Sequence, residues 1–536
     1  MRVVLGLVLV WPLAAGEQFD LVVYGGTAGG VMTATAAARE GLKVALLEPR
    51  DHLGGMVSGG LSRTDVGKRE VIGGLALEFY WRAGRHYEIH RHLHDVAWQP
   101  EPRVAEAILG EMAKEAGVKV LYRHRLREAT GVRKTGARII EILMDSGASF
   151  EARVFADCSY EGDLMAQAGV SYTWGRESTA QYGESLAGVR EKTPFHQFTV
   201  DISPYDAGGK LLPEVSPHPP GEIGSADRKV QAYNFRMILS SDAANQVPYP
   251  KPPDYSPARY ELLARLLGAL TGSQGRAPAF NEVTLIAPIP NQKADFNNRG
   301  AFSTDYIGKN YEYPEASYQR RQEIWQDHVN YTQGFFYFLA QDPRVPPALQ
   351  AEVNRWGLAK DEFTDTGHWP HQLYIREARR MVGEYVVTQK DLQTELTKPD
   401  PIGMGSYNSD SHNIQRIVNR RGSAENEGDM QVPVKPYQIP YRVLLPKRAE
   451  AENLLVPVCF SASHVAYSSL RMEPQYMILG HAAGVAAKMA IDRGASVQDV
   501  DTLRLTQRLR AQGAVMEYVP SPHAPAFELF RKMRRP

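Results

Sequence analysis

Residues 19–30 read FDLVVYGGTAGG, and this stretch decides the fold. Its first six residues form a largely apolar run that predicts a buried strand and ends in a glycine-rich turn. The alanine-rich segment from Val31 to Glu40 then predicts a helix that stops at Gly41, and Lys43 to Glu48 predicts a second strand. A strand, turn, helix and strand within about thirty residues is typical of a dinucleotide-binding unit.

The residue types in this turn suit a pyrophosphate. Small residues let the backbone approach the phosphates, and a helix N-terminus offers free N–H groups and the positive end of its dipole. Glu48 ends the second strand, 18 residues after Gly30, where its carboxylate can accept hydrogen bonds from a ribose diol. Thr27 stands where the motif GxGxxG has its middle glycine, so the motif is incomplete. The predicted contacts are Gly25, Gly26, Thr27, Ala28, Gly29, Gly30 and Glu48.

The next stretch indicates which dinucleotide the unit binds, FAD or NAD. Pro49 and Arg50 lead into the glycine pair Gly54-Gly55, and Gly59-Gly60 follows closely. This pattern resembles the two-dinucleotide-binding-domain flavoproteins, the superfamily that includes glutathione reductase. The resemblance implies FAD as the cofactor, with this stretch passing its pyrophosphate and ribitol. The implied contacts are Pro49, Arg50, Gly54, Gly55 and Met56.

A second block extends the unit. Pro102 to Ala116 predicts a helix, and Val118 to Tyr122 predicts a strand that contains Val120. Arg138 to Met144 and Phe150 to Phe155 predict a β-hairpin around Asp145-Ser146-Gly147. In the superfamily, a strand near residues 154–159 ends beside the adenosine. The further predicted cofactor contacts are therefore Val120 and Asp157.

A distant segment is expected to close the cofactor fold. Asn453 to Val458 predicts a strand, Cys459 to Ser469 a loop, and Gln475 to Asp492 a helix. The N-terminus of that helix would direct its dipole at the flavin pyrimidine edge. Many related flavoproteins place a Gly-Asp pair after the strand, where this chain has Val458 to Ser461. The predicted cofactor contacts here are Ser461, Arg471, Met472 and Gln475.

The whole chain resembles the bacterial FAD-dependent oxidoreductase family, some of whose members are described as xanthan-lyase-related. The matching stretches are 22–60, 155–169, 231–236, 290–305, 369–387, 403–413 and 454–487. The resemblance implies an α/β fold: a Rossmann-like FAD-binding domain with a central parallel sheet and a small β-meander, interrupted by an α+β substrate domain. The predicted division is a signal peptide (1–16), the FAD-binding domain (17–190), a substrate-binding cap (191–440), the FAD-domain return (441–495) and a C-terminal helix and tail (496–536).

Composition and the N-terminus bear on location and partners. Lysine plus arginine equals aspartate plus glutamate at 61 each, so no basic field suggests nucleic acid. The two cysteines lack zinc-site spacing, and no metal site is predicted. Met1-Arg2, an apolar run and small residues to Gly16 predict a cleavable signal peptide, with a retained anchor as the alternative. The protein is expected to be periplasmic or secreted, without a stable membrane span.

Catalytic candidates come from the middle of the chain and from its return. His412 and His464 are the candidate bases, because a histidine pKa near the working pH suits proton abstraction. Arg471 is the candidate cation for the reduced flavin, and Asn234 and Arg236 would orient the substrate. Structural hydrogen bonds are the alternative role for each histidine. His52 raises a further possibility, a covalent bond to the flavin.

These features favour an FAD-dependent dehydrogenase or oxidase of a polar, carbohydrate-like alcohol or amine. Amides and aromatic rings, as found between Gly403 and Asn413, suit a polyhydroxylated substrate. The electron acceptor is unidentified. The alternatives are a non-redox flavoenzyme, such as a lyase or hydratase acting on polysaccharide-derived substrates, and a catalytically idle flavin-binding scaffold.

Overall fold

A computed structural model describes residues 17–89 and 96–520. The predicted signal peptide, residues 1–16, and tail residues 521–536 lie outside the described residues. Within the described ranges, no helix has the length and apolar character needed to cross a bilayer.

The described chain combines helices and strands throughout. The α-helices are α1 (Ala28–Arg39), α2 (Gly74–His86), α3 (Pro102–Glu115), α4 (Asp163–Gln167), α5 (Thr179–Tyr182), α6 (Glu261–Gln274), α7 (Phe280–Val283), α8 (Tyr318–Gln341), α9 (Pro347–Val353), α10 (Gln389–Gln393), α11 (His464–Leu470), α12 (Glu473–Arg493) and α13 (Thr502–Ala511). The strands are β1 (Glu17–Tyr24), β2 (Val44–Leu47), β3 (Lys119–Leu121), β4 (Val132–Thr135), β5 (Arg138–Leu143), β6 (Ser149–Asp157), β7 (Tyr172–Thr173), β8 (Met237–Ser240), β9 (Gln246–Val247), β10 (Thr284–Ile289), β11 (Lys293–Asn298), β12 (Gly357–Ala359), β13 (Arg380–Met381), β14 (Pro401–Gly405), β15 (Ser409–Ser411), β16 (Gln415–Val418), β17 (Ala424–Glu427), β18 (Met430–Val432), β19 (Tyr437–Pro440) and β20 (Leu454–Leu455).

A parallel sheet forms the centre of the N-terminal part. Its order is β3-β2-β1-β6, and each neighbouring pair is parallel. Two strands pair with β6 on the side that faces away from β1. Strand β5 runs antiparallel to the first residues of β6, and β20 runs parallel to its last residues. β4 pairs with β5 and completes a small antiparallel meander. This arrangement confirms the predicted α/β class, and the β5–β6 hairpin falls where the sequence predicts one.

A second sheet lies within residues 237–359. Its order is β10-β11-β8-β12-β9, and all its pairs are antiparallel. Buried apolar side chains form one continuous cluster from α1 and α12 into α6 and α8, so the two regions share a core. The division into domains stays a prediction.

Some predicted elements differ from the structure. The predicted loop from Cys459 to Ser469 contains the helix α11, whose first turn is capped by Ser463 through a hydrogen bond from the Ala466 N–H at 3.2 Å. Residues 231–236, which include the predicted substrate-orienting residues Asn234 and Arg236, form no regular strand and make an isolated bridge between Asn234 and Tyr374. The regular strand β8 begins one residue later.

Helices α1 and α12 approach each other closely through glycines. A Cβ on Gly480 would lie 3.0 Å from Thr33 Oγ1 and closer still to the carbonyl oxygen of Gly29. Gly484 similarly faces α1, where a Cβ would lie 2.7 Å from that of Ala36. Only hydrogen atoms fit between the two backbones, so this contact sets where the N-terminus of α12 lies.

We expect Gly480→Ala to destabilise the protein by about 1–3 kcal/mol, because the added methyl group forces the two helices apart. The matched control is Gly272→Ala on α6, where a Cβ would have no atom within 4 Å. Alanine there should be neutral or stabilise by up to about 1 kcal/mol. Equilibrium unfolding of both variants provides the measurement, and equal stabilities would contradict the close helix contact.

Candidate functional site

The turn between β1 and α1 has no room for side chains. A Cβ on Gly25, whose φ is +98°, would lie 2.6 Å from the backbone nitrogen of Ser159. A Cβ on Gly26 would lie 2.7 Å from Leu53 Cδ2 and 2.8 Å from Glu48 Oε2. The turn therefore lies directly against the carboxyl ends of the neighbouring strands, with bare backbone at the N-terminus of α1.

Thr27 replaces the middle glycine of the motif without strain. Its φ is −61°, a value that any residue adopts, and it is the N-cap of α1. The Oγ1 atom accepts a hydrogen bond from the Gly30 N–H at 3.1 Å and donates one to the carbonyl oxygen of Cys158 at 2.8 Å. The hydroxyl thus satisfies a helix N–H and ties the turn to the end of β6.

Glu48 is held at the end of β2 by backbone N–H groups. Its Oε2 accepts from Gly26 at 2.7 Å, and its Oε1 accepts from Arg50 at 2.7 Å. Burial raises the pKa of Glu48 to about 7, and both N–H groups oppose that rise by favouring the carboxylate. The side chain keeps lone pairs available for a ribose diol.

A cavity of about 710 Å³ opens over this edge of the sheet. Its lining includes Gly25, Thr27, Glu48, Pro49 and Arg50. Residues from the middle of the chain also line it: Tyr313, Tyr318, Trp325, Trp369 and His371. The cavity thus brings Gly25, Thr27 and Glu48, which are predicted to bind phosphate and ribose, together with aromatic rings, a combination that fits the adenosine half of a dinucleotide.

The glycine pair that follows is linked to the closing helix. Gly54 and Gly55 have φ values of +100° and +55°, which favour glycine. The Tyr160 hydroxyl accepts a hydrogen bond from the Met56 N–H at 2.9 Å and donates one to Glu473 Oε1 at 2.6 Å. Burial raises the pKa of Glu473 to about 8. The 54–56 loop is therefore joined to the first turn of α12.

The N-terminus of α12 carries buried polar atoms that lack partners in the described residues. Gln475 is fully buried, and neither its Nε2 nor its Oε1 makes a hydrogen bond there. Met472 is the N-cap, and Oε2 of Glu473 is also unpartnered. A buried amide without partners costs free energy unless a ligand supplies them. This end of the helix therefore fits the polar edge of a bound flavin.

Arg471 lies just before α12 and is buried. Its Nη1 donates to the Tyr374 hydroxyl at 3.1 Å, and its Nη2 donates to the carbonyl oxygen of Asp410 at 2.7 Å. Both hydrogen-bond partners are formally neutral groups, and its buried Nε has no partner among the described residues, so the guanidinium can still bind a ligand. The contact with Asp410 also brings the segment that contains His412 beside the closing helix.

His412 forms a dyad that the sequence did not reveal. Its Nδ1 lies 2.7 Å from Asp305 Oδ2, and Arg376 Nη2 lies 3.0 Å from Asp305 Oδ1. Burial and the Arg376 charge lower the pKa of His412 to about 4. Although burial opposes ionisation of Asp305, Arg376 and His412 hold the pKa of that carboxyl down to about 2. The imidazole is therefore neutral near pH 7 and is held by a carboxylate, and its pKa lies well below the near-neutral value expected from the sequence.

His464 is more enclosed than His412. Its side chain is 4% exposed, compared with 11% for His412. Its Nδ1 lies 2.8 Å from Glu377 Oε2, and its backbone N–H donates to Glu177 Oε2 at 2.9 Å. Burial and the Arg380 charge lower the pKa of His464 to about 3. These contacts place His464 within a buried ion cluster.

The two predicted substrate-orienting residues have different surroundings. Arg236 donates to Asp295 through Nε at 2.9 Å and Nη2 at 2.7 Å, so its charge is already paired. Asn234 donates to Asn297 Oδ1 and Thr304 Oγ1, each at 3.2 Å. Its own Oδ1 has no partner among the described residues. Asn234 is therefore the better placed of the two to bind a ligand.

Other predicted cofactor contacts make structural bonds. Asp157 accepts hydrogen bonds from the N–H groups of Ser159 and Met165, at 3.0 and 2.8 Å, and so fixes the turn after β6. Ser461 Oγ accepts from the Gly383 N–H at 3.0 Å. Val120 lies within β3 beside Leu46. None of these three lines the cavity, and their cofactor roles stay predictions.

His52 borders the cavity, but both of its ring nitrogens face carboxylates. Nδ1 lies 3.1 Å from Glu106 Oε1, and Nε2 lies 3.2 Å from Asp365 Oδ2. A covalent flavin bond needs a free ring nitrogen, so these contacts argue against that role.

Comparison with known structures finds proteins of low identity to this chain. A geranylgeranyl bacteriochlorophyll reductase-like protein from Thermoplasma acidophilum is 12% identical, covering 93% of this chain and 83% of its own, with a TM-score of 0.36. The Diels-Alderase PyrE3 is 12% identical, covering 52% and 45%, with a TM-score of 0.24. A flavin-containing monooxygenase from Stenotrophomonas maltophilia is 17% identical, covering 30% and 42%, with a TM-score of 0.19. The chain thus spans less than half the length of the last two, and no argument rests on these scores.

A search of curated proteins found no match. The model of one protein family, described as FAD dependent oxidoreductase, matches residues 20–510. That range contains the glycine turn, Glu48, the cavity walls and α12, and the match confirms the predicted enzyme class and the predicted cofactor, FAD. The chain belongs to the family of FAD-dependent oxidoreductases.

Proposed function

We propose that the protein oxidises a small polar, carbohydrate-like substrate at an alcohol or amine carbon, with His412 as the base. Bound FAD would supply the two-electron acceptor, flavin N5, for hydride transfer from that carbon. The observation that carries the proposal is the buried arrangement of His412, Asp305 and Arg376 beside Arg471, since it provides a neutral base close to the closing helix.

The hydrogen bond at Nδ1 of His412 decides which ring nitrogen acts as the base. The Asp305 carboxylate can only accept, so Nδ1 of His412 carries the proton and Nε2 keeps its lone pair. His412 can then take a hydroxyl or ammonium proton at Nε2, and Asp305 stabilises the imidazolium that forms. Arg376 keeps Asp305 ionised throughout. Asp305 and Arg376 act through His412 and are therefore positioning residues.

The substrate class follows from polar atoms on three adjacent segments. The Ala232 N–H donates to the carbonyl oxygen of Asn413 at 3.1 Å, and the Tyr374 N–H donates to that of Asn234 at 2.9 Å. Within the described residues, buried atoms without hydrogen-bond partners on these segments are Asn234 Oδ1, Asn413 Nδ2 and Arg376 Nε. Mixed donors and acceptors suit a molecule with several hydroxyl groups.

Arg471 is the proposed cation for the flavin. It stands immediately before α12, whose N-terminus adds the positive end of the helix dipole. A fixed positive charge and a helix N-terminus together favour a cofactor that becomes more negative on reduction. This role makes Arg471 a contact of the cofactor.

Anaerobic mixing with a panel of sugars, sugar alcohols and amino sugars tests the proposed reaction. Loss of the flavin absorption band on addition of a substrate is the expected result. Turnover without bleaching would instead favour a lyase or hydratase, and no response across the panel would leave only flavin binding. Reoxidation by oxygen or by an added quinone then identifies the class of electron acceptor.

Replacing His412 by glutamine should lower kcat by about 10²-fold to 10⁴-fold, because general-base catalysis contributes about that factor. FAD content should not change. The matched variant is His464→Gln, which removes the other candidate base, and steady-state kinetics of both variants provide the measurement. A larger kcat loss in the His464 variant, with FAD retained, would transfer the role of base to that residue.

The pH profile should report on the dyad. With a pKa of about 4, His412 becomes protonated and inactive only in acid, so kcat/KM should fall as the pH drops through about 4. Asp305→Asn removes the charge that stabilises the imidazolium, which lowers the pKa of His412 further. The fall of kcat/KM in acid should therefore move to lower pH in this variant. If the fall occurs at the same pH as in wild type, Asp305 does not act through His412.

Gly26→Ala should reduce FAD affinity at least about 10-fold, because the new methyl group would lie 2.7 Å from Leu53 Cδ2 and displace Glu48. The control is Gly110→Ala on α3, where a Cβ would have no neighbour within 4 Å. Quenching of intrinsic fluorescence by added FAD measures both affinities. Unchanged binding by the Gly26 variant would remove the turn from the cofactor site.

A further inference from the structure

Three side chains from distant parts of the chain meet beside the cofactor cavity. His52 follows β2, Glu106 lies on α3, and His371 lies between α9 and α10. One ligand atom from each residue lies within 4.8 Å of the other two, and all three residues are partly exposed. Two imidazoles and a carboxylate form a common Zn²⁺ ligand set in sites that keep a fourth position open.

Backbone hydrogen bonds orient two of these side chains. His371 Nε2 lies 3.1 Å from the carbonyl oxygen of Ser58. Because a carbonyl oxygen only accepts, Nε2 carries the proton and the Nδ1 lone pair remains available. Glu106 Oε1 also accepts a hydrogen bond from the Leu53 N–H at 3.3 Å. Outer hydrogen bonds of this kind commonly fix the tautomer and orientation of metal-binding residues.

The charges around the cluster suit an added cation. Glu106 Oε1 lies 3.1 Å from one ring nitrogen of His52, and Asp365 Oδ2 lies 3.2 Å from the other. A divalent ion coordinated by His52 would therefore lie beside two carboxylates, whose negative charges favour it.

The present ring geometry requires one adjustment. The rings of His52 and His371 are stacked, with centroids 4.0 Å apart and an angle of 13° between their planes. Parallel rings do not direct both lone pairs to one point, so one ring must rotate about its χ2 torsion for coordination. Partial exposure of both residues leaves room for that rotation.

A second group of side chains that could hold a metal ion consists of carboxylates alone and differs from the first. Glu101, Asp361 and Glu362 also gather, but the ammonium of Lys293 lies among them. Its Nζ is 2.9 Å from Asp361 Oδ2 and 2.5 Å from Glu362 Oε1. An internal cation therefore already neutralises this cluster, which has no histidine and carries no proposal.

We propose that His52, Glu106 and His371 bind one divalent transition-metal ion, best matched to Zn²⁺, with the fourth position open to water or to Asp365. The ion would join the 52–58 loop and α3 to the 365–372 segment, and residues of both the loop and that segment line the cavity. It would thus act as a staple that holds the cavity closed and slows the release of FAD. This proposal does not depend on the substrate proposed above.

The test uses FAD-loaded protein that has been dialysed against a chelator and then titrated calorimetrically with zinc chloride. Wild type should bind one Zn²⁺ per chain, and Glu106→Gln and His371→Asn should each weaken binding by at least about 10-fold to 100-fold. His218→Ala, a change at an exposed histidine outside the cluster, should bind as wild type does. Zinc should also slow FAD release from wild type and not from the two cluster variants.

Absence of saturable zinc binding by the wild type would overturn the proposal, as would equal affinity in wild type and both cluster variants. Circular dichroism and FAD content check that each variant is folded. Glu106→Gln preserves the size of the side chain and tests the carboxylate alone, so the proposal stays testable if the His371 variant fails to fold. Zinc-edge anomalous scattering from crystals of the zinc-loaded protein should place the ion at these three residues.

Discussion

The cofactor half of the structure depends on a turn in which side chains have no space. A Cβ on Gly25 would collide with the backbone at Ser159, and one on Gly29 would lie 3.0 Å from the carbonyl oxygen of Tyr476. Glycine thus lets one turn contact the end of β6 and the first turns of α12 together. Since both of those elements carry residues that are predicted to contact FAD, the close approach of three backbones fixes the relative positions of these residues.

Local sequence patterns were sufficient for this half of the fold. Strand β1, helix α1 and strand β2 combine apolar runs with glycine signals over a few residues, and α12 is long enough for its pattern to be unambiguous. The prediction failed at α11 because its seven residues, HVAYSSL, are too few to show a helical period. Its cap at Ser463 is a signal that the sequence contains but that small polar residues in loops also show.

The site was harder to predict from the sequence than the fold, because the residues that contact one another there lie far apart in the chain. His412 was selected for its chemistry, yet the residues that hold it, Asp305 and Arg376, could not be chosen, since no spacing rule links positions so far apart. The resemblance to flavoproteins implies cofactor contacts at Asp157 and Ser461, but here their side chains satisfy backbone N–H groups. A motif can indicate that a residue is near a site, whereas its hydrogen bonds decide what its side chain does.

The two buried ion clusters, one around Arg376 with His412 and one around Arg380 with His464, differ in how completely their polar atoms are hydrogen-bonded. Gln231 joins them: its Oε1 accepts from the His412 N–H at 3.2 Å, and its Nε2 donates to Glu377 Oε2 at 2.9 Å. In the cluster around Arg380, carboxylates of Glu177 and Glu377 pair with the guanidinium and with His464, and none of these side-chain atoms is buried without a hydrogen-bond partner.

Around Arg376 the hydrogen bonding is incomplete. Within the described residues, its buried Nε makes no hydrogen bond, although its Nη2 lies 3.0 Å from Asp305 Oδ1. An unsatisfied buried group costs about 1–3 kcal/mol, and folding alone gives no reason to retain it. A ligand that accepts a hydrogen bond from this Nε removes that cost. This difference, more than the identity of either histidine, is why we propose a substrate role for the cluster at His412 and a structural role for the cluster at His464.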